Sequence, residues 1–505
     1  MQIIPSQNVP HMIVRKILTI VKLARKTPYR SKRKMIITDS ARTINDAKTA
    51  ISALKLSDDN GTRYYAAWWL GKHRIYESIH LLCECLKDER DVTALEGYPL
   101  RRQAARSLGM LKDSRALPAL IEALDCLDLK VQEVVIQALK DIGNSAAIPA
   151  LIDFLNADTE DKPLEALIEA LAKFKVWQVQ DKIRPFLQHS SERVKCSAAQ
   201  YFYTLTLEPH YLKILFRTLH HENRFLRYAA AFDISALGQI EFAPLIMDAQ
   251  IPNNIKLATI KRILESVLQN KMETEVKRQE QEDLLFQIID QLLLDAIEGN
   301  IPRLNTLDSN LEVEKITKLV NQLSTSSQKV IERSTSKLFS ALKSQHPNIQ
   351  AAAIKGLVKL APGIIDSIIR VFDLDNDGDL DLRAGLTQVL MEIGDPRTLF
   401  LLEKVIGFEV AADHCQGKVR RVASRALGKI GCRACSPEVI VRVIEKLKWT
   451  LSQPDDWALR YSAAVSLGEI GNNDAILALQ AAFEDESDIA VKRRIERAYS
   501  PLQST

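Results

Sequence analysis

Residues 91–109 carry the sequence Asp-Val-Thr-Ala-Leu-Glu-Gly-Tyr-Pro-Leu-Arg-Arg-Gln-Ala-Ala-Arg-Ser-Leu-Gly. The first half predicts an irregular loop, because Gly97 and Pro99 interrupt regular structure and the residue before a proline avoids the helical region. The second half predicts a helix that carries three arginines and two alanines. The helical half recurs along the chain and the loop does not, which indicates a repeat scaffold with an added site.

The recurring pattern is an arginine, a run of mostly small apolar residues, and a Leu-Gly pair whose glycine lies eight residues after the arginine. It spans Arg63 to Gly71, Arg101 to Gly109, Arg420 to Gly428 and Arg460 to Gly468. In several copies a second glycine follows three residues later, at Gly143, Gly394, Gly431 and Gly471. We expect the alanines of the run to let adjacent helices approach closely, and a closing glycine to end the helix in a left-handed cap.

This pattern predicts an all-α solenoid. The arginines that begin successive copies are roughly 30–40 residues apart, the length of a two-helix repeat. Stacked copies bury the apolar face that one helix pair cannot cover alone. We predict a curved solenoid with an N-terminal arm over residues 43–270 and a C-terminal arm over residues 336–505. A charged and polar segment, residues 271–335, connects them, and residues 271–283 predict a solvated helix.

The composition of the chain argues against some classes of function. The 505 residues carry a net charge of only +4, which argues against nucleic-acid binding over the whole surface. The seven cysteines are scattered and odd in number, which favours a reducing compartment over a disulfide framework. No apolar run is long enough for a membrane span. Residues 1–42 predict a basic N-terminal tail, with an organelle transit segment as the alternative.

Four aromatic residues follow the first arginine of the pattern, in the run Arg63-Tyr-Tyr-Ala-Ala-Trp-Trp69. Tyr64 and Trp68 share one helix face, as do Tyr65 and Trp69. Such rings either pack in the core or stack on a flat conjugated ligand whose acid groups pair with guanidinium. Both interpretations stay open. Similar combinations of arginine and aromatic residues recur at Arg227-Tyr228 and at Trp457, Arg460 and Tyr461.

A second added loop, Asp413-His-Cys-Gln-Gly417, precedes the Arg420 helix much as residues 91–99 precede the Arg101 helix. His414 and Cys415 could supply two proton-transfer groups that titrate near neutrality. The alternative is a loop histidine beside a free thiol. Two other motifs, Asp373–Asp381 and Cys432–Cys435, have the spacing of metal ligands, but each lacks ligands that a metal site requires. We therefore interpret both as inter-helix turns and expect no metal site.

The segments Tyr64–Gly71 and Glu96–Gly109 resemble the phycobilin lyases of the E/F clan, HEAT-like repeat proteins that attach open-chain tetrapyrroles to phycobiliproteins. Asp413–Lys418 resembles the Asn-His-Cys-Gln-Gly-Asn motif of the phycoerythrocyanin lyase-isomerase, with Asp413 and Lys418 in place of the asparagines. The length and the paired arms also resemble the single-chain phycoerythrin lyases, or a fusion of the two lyase subunits.

The resemblance implies that a phycobilin, phycoerythrobilin above all, is bound as substrate and joined by a thioether to a cysteine of a phycobiliprotein subunit of the phycoerythrin α type. Arg63, Arg101 and Arg102 would pair with its propionates. Tyr64 and Trp68 would stack on its rings, Asp91 or Glu96 would bond its pyrrole N–H groups, and further contacts would come from Tyr98, Trp457, Arg460 and Tyr461.

The resemblance further implies that His414 and Cys415 would carry out an isomerisation to phycourobilin. It implies no metal, no other cofactor, and a place in a cyanobacterial cytoplasm or a plastid stroma. The alternative function is a non-enzymatic HEAT-repeat scaffold or chaperone for phycobiliprotein assembly, since solenoids of this class usually bind proteins.

Overall fold

The computed structural model describes residues 44–90, 92, 97–159, 161–270, 274–294, 306–326, 328–344, 346–374, 380–407, 414–434, 436–453 and 456–499. At helix positions 306–309, 328–334, 347, 373–374, 380–381, 414–416 and 418 it describes the backbone alone. Throughout these ranges the regular structure is α-helix and short 3-10 helix, without a β-strand, so the predicted all-α solenoid class is confirmed. Within the same ranges, every helix is too short or too polar to cross a membrane.

The chain forms two compact units that meet in sequence between Ile142 and Gly143. The first unit contains six α-helices in the residues described: α1 (Ala47–Leu56), α2 (Asn60–Lys72), α3 (Ile79–Cys85), α4 (Pro99–Leu111), α5 (Leu117–Glu122) and α6 (Leu129–Ile142). This division by internal contacts differs from the predicted arm boundary at residue 270, which stays a prediction.

The second unit continues the alternation of longer and shorter helices. Its first part contains α7 (Ile148–Asn156), α8 (Leu164–Lys173), α9 (Gln180–Ile183), α10 (Glu192–Thr206), α11 (Leu212–Leu219), α12 (Arg224–Ala236), α13 (Ala243–Asp248), α14 (Asn253–Gln269) and α15 (Glu275–Leu294). Its second part contains α16 (Thr306–Leu323), α17 (Gln328–Leu342), α18 (Pro347–Lys359), α19 (Ile365–Leu374), α20 (Leu380–Ile393), α21 (Leu399–Ile406), α22 (His414–Arg433), α23 (Pro437–Leu451), α24 (Trp457–Ile470), α25 (Asn473–Asp485) and α26 (Ile489–Tyr499).

The glycine of each Leu-Gly pair lies where neighbouring helices of one layer touch. A Cβ added at Gly71 would lie 2.5 Å from the Cβ of Ser107 on the next helix of the layer, and one at Gly428 would lie 2.6 Å from the Cβ of Ser466. These glycines therefore set the spacing between repeats, because any side chain would push the neighbouring helix away.

The second glycine ends the helix in most copies. Gly143, Gly394 and Gly471 have φ angles of 72°, 65° and 63°, so the predicted left-handed caps are confirmed there. At Gly431 the prediction is wrong, because α22 continues through it to Arg433. A residue without this freedom, Lys112, takes the same conformation after α4 at φ 53°.

Helix α15 packs against the C-terminal helices along one side, so the predicted solvated helix is confirmed only in part. Of residues 271–283, residues 274–277, 280 and 283 are exposed, whereas Glu282 is buried. Glu282 is 1% exposed, and its Oε2 lies 2.9 Å from Nε of Arg493 on α26. About two turns further along α15, Asp290 Oδ2 lies 3.1 Å from Nη2 of Arg494, the residue after Arg493 on α26. The charges of α15 are thus matched by arginines about 200 residues later in the chain, which a local reading of charge cannot detect.

Candidate functional site

The aromatic face of α2 divides between the core and the surface. Trp69 is buried and its ring stacks on His73 with centroids 3.9 Å apart. Tyr64, Tyr65 and Trp68 are half-buried, and the rings of Tyr65 and Trp68 lie 5.2 Å apart at an angle of 34°. The core interpretation thus holds for one tryptophan, while the other rings remain partly open to solvent.

The adjacent helix α4 adds cations to the same layer. Ser107 Oγ donates a hydrogen bond of 2.7 Å to the carbonyl of Ala67, which locks α4 against α2. On the solvent side of α4, Arg102 is half-buried and Arg106, four residues later, is exposed. Lys72 on α2 places its Nζ 4.7 Å from the Trp68 ring centroid. Aromatic surface and positive charge therefore occur together on two neighbouring helices.

Arg101 and Tyr98 form a separate, more enclosed pair at the start of α4. The Arg101 guanidinium carbon lies 4.1 Å from the Tyr98 ring centroid, and its Nε donates to the Asp88 carbonyl at 2.8 Å. Its Nη1 lies 3.7 Å from Sγ of Cys126, and its side chain is 13% exposed. Arg101 was predicted to pair with a propionate, but in the structure most of its donors face protein groups.

Arg63 has a structural role instead of the predicted contact with a ligand. It is 2% exposed, and its Nε donates to the carbonyl of Leu54 at the end of α1. Its guanidinium also binds both oxygens of Asp88, one of them at 3.3 Å from Nη1. Burial raises the pKa of Asp88, but hydrogen bonds from Arg63 and Arg90 outweigh burial and bring that pKa down to about 2.

The arginine of the repeat has the same role in other copies. Nε of Arg420 donates to the carbonyl of Ile406, the last residue of α21, at 3.1 Å. Nη1 of Arg460 donates to the carbonyl of Gln453, just beyond α23, at 2.9 Å. The last carbonyls of a helix have no partner within it, so an arginine on the next helix that reaches them acts as a C-terminal cap.

In the C-terminal cluster of Trp457, Arg460 and Tyr461, the last two residues are buried, Trp457 is half-buried, and α15 covers Tyr461. Tyr461 is 0% exposed, its hydroxyl donates to Asp290 at 2.9 Å, and burial raises the pKa of its phenol well above the ordinary value. Arg460 is 9% exposed and binds Glu486 at 2.6 Å. The Trp457 ring meets Tyr461 edge-on at 6.2 Å. These residues were predicted to contact a ligand, and in the structure they join helices.

The predicted acid–base residues fall outside what the structure describes. Asp91 and Glu96 lie in undescribed parts of the loop before α4. Helix α22 begins at His414, but the side chains of His414 and Cys415 are outside the described residues. Asp375–Asp379 and Cys435, from the two motifs with metal-ligand spacing, are also outside them. Among the side chains described, no group of three His, Cys, Asp or Glu residues could hold a metal ion.

Sequence reasoning missed Arg106 and Lys72 as surface cations. The residue spacing could have identified both. Arg106 lies four residues after Arg102, and Lys72 lies four residues after Trp68, so each pair shares a helix face. The cap role of Arg63 had no comparable signal, because its partners are a carbonyl on α1 and a carboxylate 25 residues later.

Comparison with known families identifies the repeat. Residues 93–172 and 408–500 match the family of HEAT repeats, and residues 62–88 match the PBS lyase HEAT-like repeat. The second match covers α2, where the half-buried rings lie.

Two kinds of relative match the chain. It is 48% identical over 263 residues to the bilin biosynthesis protein PecE of Mastigocladus laminosus, an alignment that covers 50% of this chain and 97% of that protein. It is also 43% identical over 163 residues to the bilin biosynthesis protein PecF of Nostoc sp., which covers 32% of this chain and 92% of that protein.

A solved structure is similar as well, the complex of CpcE and CpcF of phycocyanin lyase from Nostoc sp. PCC7120. The identity is 35% and the TM-score 0.43, and the alignment covers 53% of this chain and 98% of that one. The sequence relatives decide the assignment, since nearly the whole length of PecE is matched at 48% identity. The chain belongs to the HEAT-repeat phycobilin lyases of the E/F clan.

Proposed function

We propose that the protein attaches an open-chain tetrapyrrole through a thioether to a cysteine of a phycobiliprotein subunit. The observation that carries this proposal is the 48% identity to a bilin biosynthesis protein across 97% of its length. The surface of α2 and α4 supports it, because this surface combines the two kinds of group that a bilin needs, aromatic rings and cations.

Within the proposal, Tyr64 and Trp68 contact the pyrrole rings, and Tyr65 supports Trp68 from the side. Arg102, Arg106 and Lys72 supply the positive charge for the two propionates. Arg102 and Arg106 are one turn apart, roughly 6 Å between Cβ atoms, so they can serve neighbouring carboxylates. Arg63 contributes indirectly, since its bonds to α1 and Asp88 fix the helix that carries the rings.

The reaction is an addition and needs no oxidant. The acceptor cysteine of the phycobiliprotein adds its sulfur to the ethylidene carbon of ring A, and a proton adds to the neighbouring ring carbon. One C–S bond and one C–H bond form, while the S–H bond of the thiol breaks and the exocyclic double bond becomes a single bond. The lyase acts by holding the bilin in one conformation near the thiol, so proximity supplies most of the rate. The proposal includes no metal and no further cofactor.

The proposal extends to phycoerythrobilin as the substrate and to its isomerisation to phycourobilin. Its support is the match to PecF together with the His414-Cys415 motif. In this step one group protonates the methine bridge next to ring A and another removes a proton from ring A. The double bond moves into the ring and the conjugated system becomes shorter. We assign these roles to His414 and Cys415.

The proposal also combines two activities in one chain, because the 505 residues match both a PecE and a PecF protein. The partner is then the phycobiliprotein subunit alone, most simply one of the phycoerythrin α type.

The test is co-expression of the full chain with a phycobiliprotein α subunit and enzymes that supply phycoerythrobilin. We expect a subunit that stays coloured on a denaturing gel, and we expect Trp68→Ala to lower the colour by at least about tenfold. Phe225→Ala, at an exposed aromatic residue on α12, is the matched control and should leave it unchanged. A subunit without covalent colour, in the presence of folded protein and bilin, would favour the scaffold alternative.

A further inference from the structure

A groove on the second unit lies apart from the residues used so far. It runs between α16, α18 and α20 in two continuous parts, with cavity volumes of about 420 and 380 Å³ that share Ala351 and Lys355 in their linings. Both volumes are in the range of small-molecule sites.

Part of the groove's lining is apolar. This floor is formed by small and aliphatic side chains, among them Val313, Val320, Ala351, Ala352 and Val358. Gly356 keeps it shallow, because a Cβ at that position would collide with Val320 across the groove. Among the described residues that line the groove there is no tryptophan, tyrosine or arginine, the residues that most often contribute binding energy at protein interfaces.

Two lysines lie on one rim of the groove. Lys355 and Lys359 are exposed and lie one turn apart on the same face of α18, and Lys359 donates to Asn321 on α16 at 3.0 Å. The opposite rim carries Glu392, whose charge is met by Lys429 at 3.3 Å. The groove therefore carries two lysines along its α18 side and one carboxylate on the opposite rim.

One acceptor in the groove is unsatisfied. Gln388 on α20 lines it, and the buried Oε1 of this residue has no hydrogen-bond partner within the part of the chain that the structure describes. A buried acceptor of this kind is stabilised by a ligand N–H. The backbone N–H groups of a docked helix are already paired, so an unpaired N–H of a small molecule fits better.

We propose that this groove is a second bilin site, which holds a linear tetrapyrrole dicarboxylate non-covalently. Lys355 and Lys359 pair with the two propionates, the aliphatic floor packs against the pyrrole rings, and Gln388 accepts from a pyrrole N–H after its amide turns toward the ligand. The choice of a bilin as the ligand rests on the proposed function. The position of the site rests on the groove alone.

The test is a titration of the full-length protein with biliverdin, a linear tetrapyrrole with two propionates, followed by induced circular dichroism. We expect one equivalent on the α2–α4 surface and another in the groove. The double variant Lys355→Glu/Lys359→Glu, and separately Ala351→Trp, which fills the groove without changing its charge, should lose the groove equivalent by at least about tenfold in affinity. Lys318→Glu, an exposed lysine of α16 outside the groove, is the matched control and should keep both.

The outcomes separate the two proposals. Groove variants that bind biliverdin as the parent protein does would overturn the groove site, and so would a single equivalent that is lost only in Trp68→Ala. A single equivalent that is lost only in the groove variants would support the groove and remove the α2–α4 surface. Groove variants that keep biliverdin but no longer co-purify with the phycobiliprotein subunit would make the groove a protein-docking surface and overturn the inference.

Discussion

At the scale of single residues, the arginine of the repeat is a structural cap. Arg63, Arg420 and Arg460 each bind a carbonyl at or just beyond the end of the preceding helix, and each is at least 90% buried. A lysine could not easily replace Arg63 or Arg460, because each guanidinium binds a carbonyl and a carboxylate at the same time, Asp88 and Glu486 respectively. The arginine thus recurs for the stability of the scaffold, and the proposed ligand surface depends on other arginines, Arg102 and Arg106 of α4.

The cap role predicts a loss of stability at Arg63. Arg63→Met leaves the carboxylate of Asp88 without its main partner and the Leu54 carbonyl without a donor, so the free energy of unfolding should fall by about 3 kcal/mol. Urea unfolding followed by circular dichroism measures it. Arg106→Met, on the exposed side of α4, should change it by less than about 0.5 kcal/mol. Equal effects of the two substitutions would contradict the cap role.

Asp88 also predicts how stability depends on pH. Its pKa is about 2 in the folded protein, below the unfolded value of about 3.9, so its contribution is fully present above pH 4 and is lost as the pH falls toward 2. We expect Asp88→Asn to be less stable than the parent protein at pH 7 and to lose less stability between pH 4 and 2. Parallel curves of unfolding free energy against pH over that interval would rule out the contribution.

At the scale of elements, the packing of α15 determines which residues of the C-terminal helices are exposed to solvent. It covers Tyr461 on α24, and it gathers Arg493 and Arg497 of α26 around the buried Glu282. One side of this charged helix therefore packs, because the charges on that side are paired across the contact, whereas the charges on its other side are exposed. The aromatic residues beneath it become core for the same reason.

The contact between α15 and α26 predicts that substitutions at different positions of α15 change the stability of the protein unequally. Glu282→Gln removes the negative charge at the centre of several arginines and should lower the free energy of unfolding by about 3 kcal/mol. Glu280→Gln, two residues away and exposed, should have an effect below about 0.5 kcal/mol. Hydrogen exchange gives a local readout, since protection in α26 should fall in the first variant and stay unchanged in the second. Unchanged protection in both would mean that α26 packs independently of these charges.

At the scale of the whole molecule, the sequence predicts what is local and periodic. The repeat of Arg63 to Gly71 predicts the solenoid, and the second glycine predicts the caps at Gly143, Gly394 and Gly471, because both depend on neighbours within one helix and its turn. The burial of Tyr461 could not be predicted, since its partner Asp290 is 171 residues away. The roles of Arg63 and Arg102 could not be separated either, because which arginine reaches a helix end depends on the packing of the repeats.

The combination of a PecE-like and a PecF-like sequence in one chain predicts that attachment and isomerisation can be separated by substitution. In the proposed function, attachment depends on the ring surface of α2, whereas isomerisation depends on His414 and Cys415 at the start of α22. His414→Asn and Cys415→Ser should therefore leave the amount of thioether-linked bilin nearly unchanged, and the product should keep the longer conjugation of the unisomerised bilin. Trp68→Ala should instead reduce the amount of product without changing its spectrum.

The measurement is the absorption spectrum of the bilin-bearing peptide released from one defined phycobiliprotein subunit, normalised to the amount of peptide. Shortening the conjugated system moves the absorption to shorter wavelength, so the parent chain should give the blue-shifted product and the α22 variants the unshifted one. Lys418→Asn restores one asparagine of the motif that the chain resembles, and it should keep the blue shift if the pair is active. A blue-shifted product from both His414→Asn and Cys415→Ser would remove these residues from the reaction, since no proton-transfer role could then remain for either.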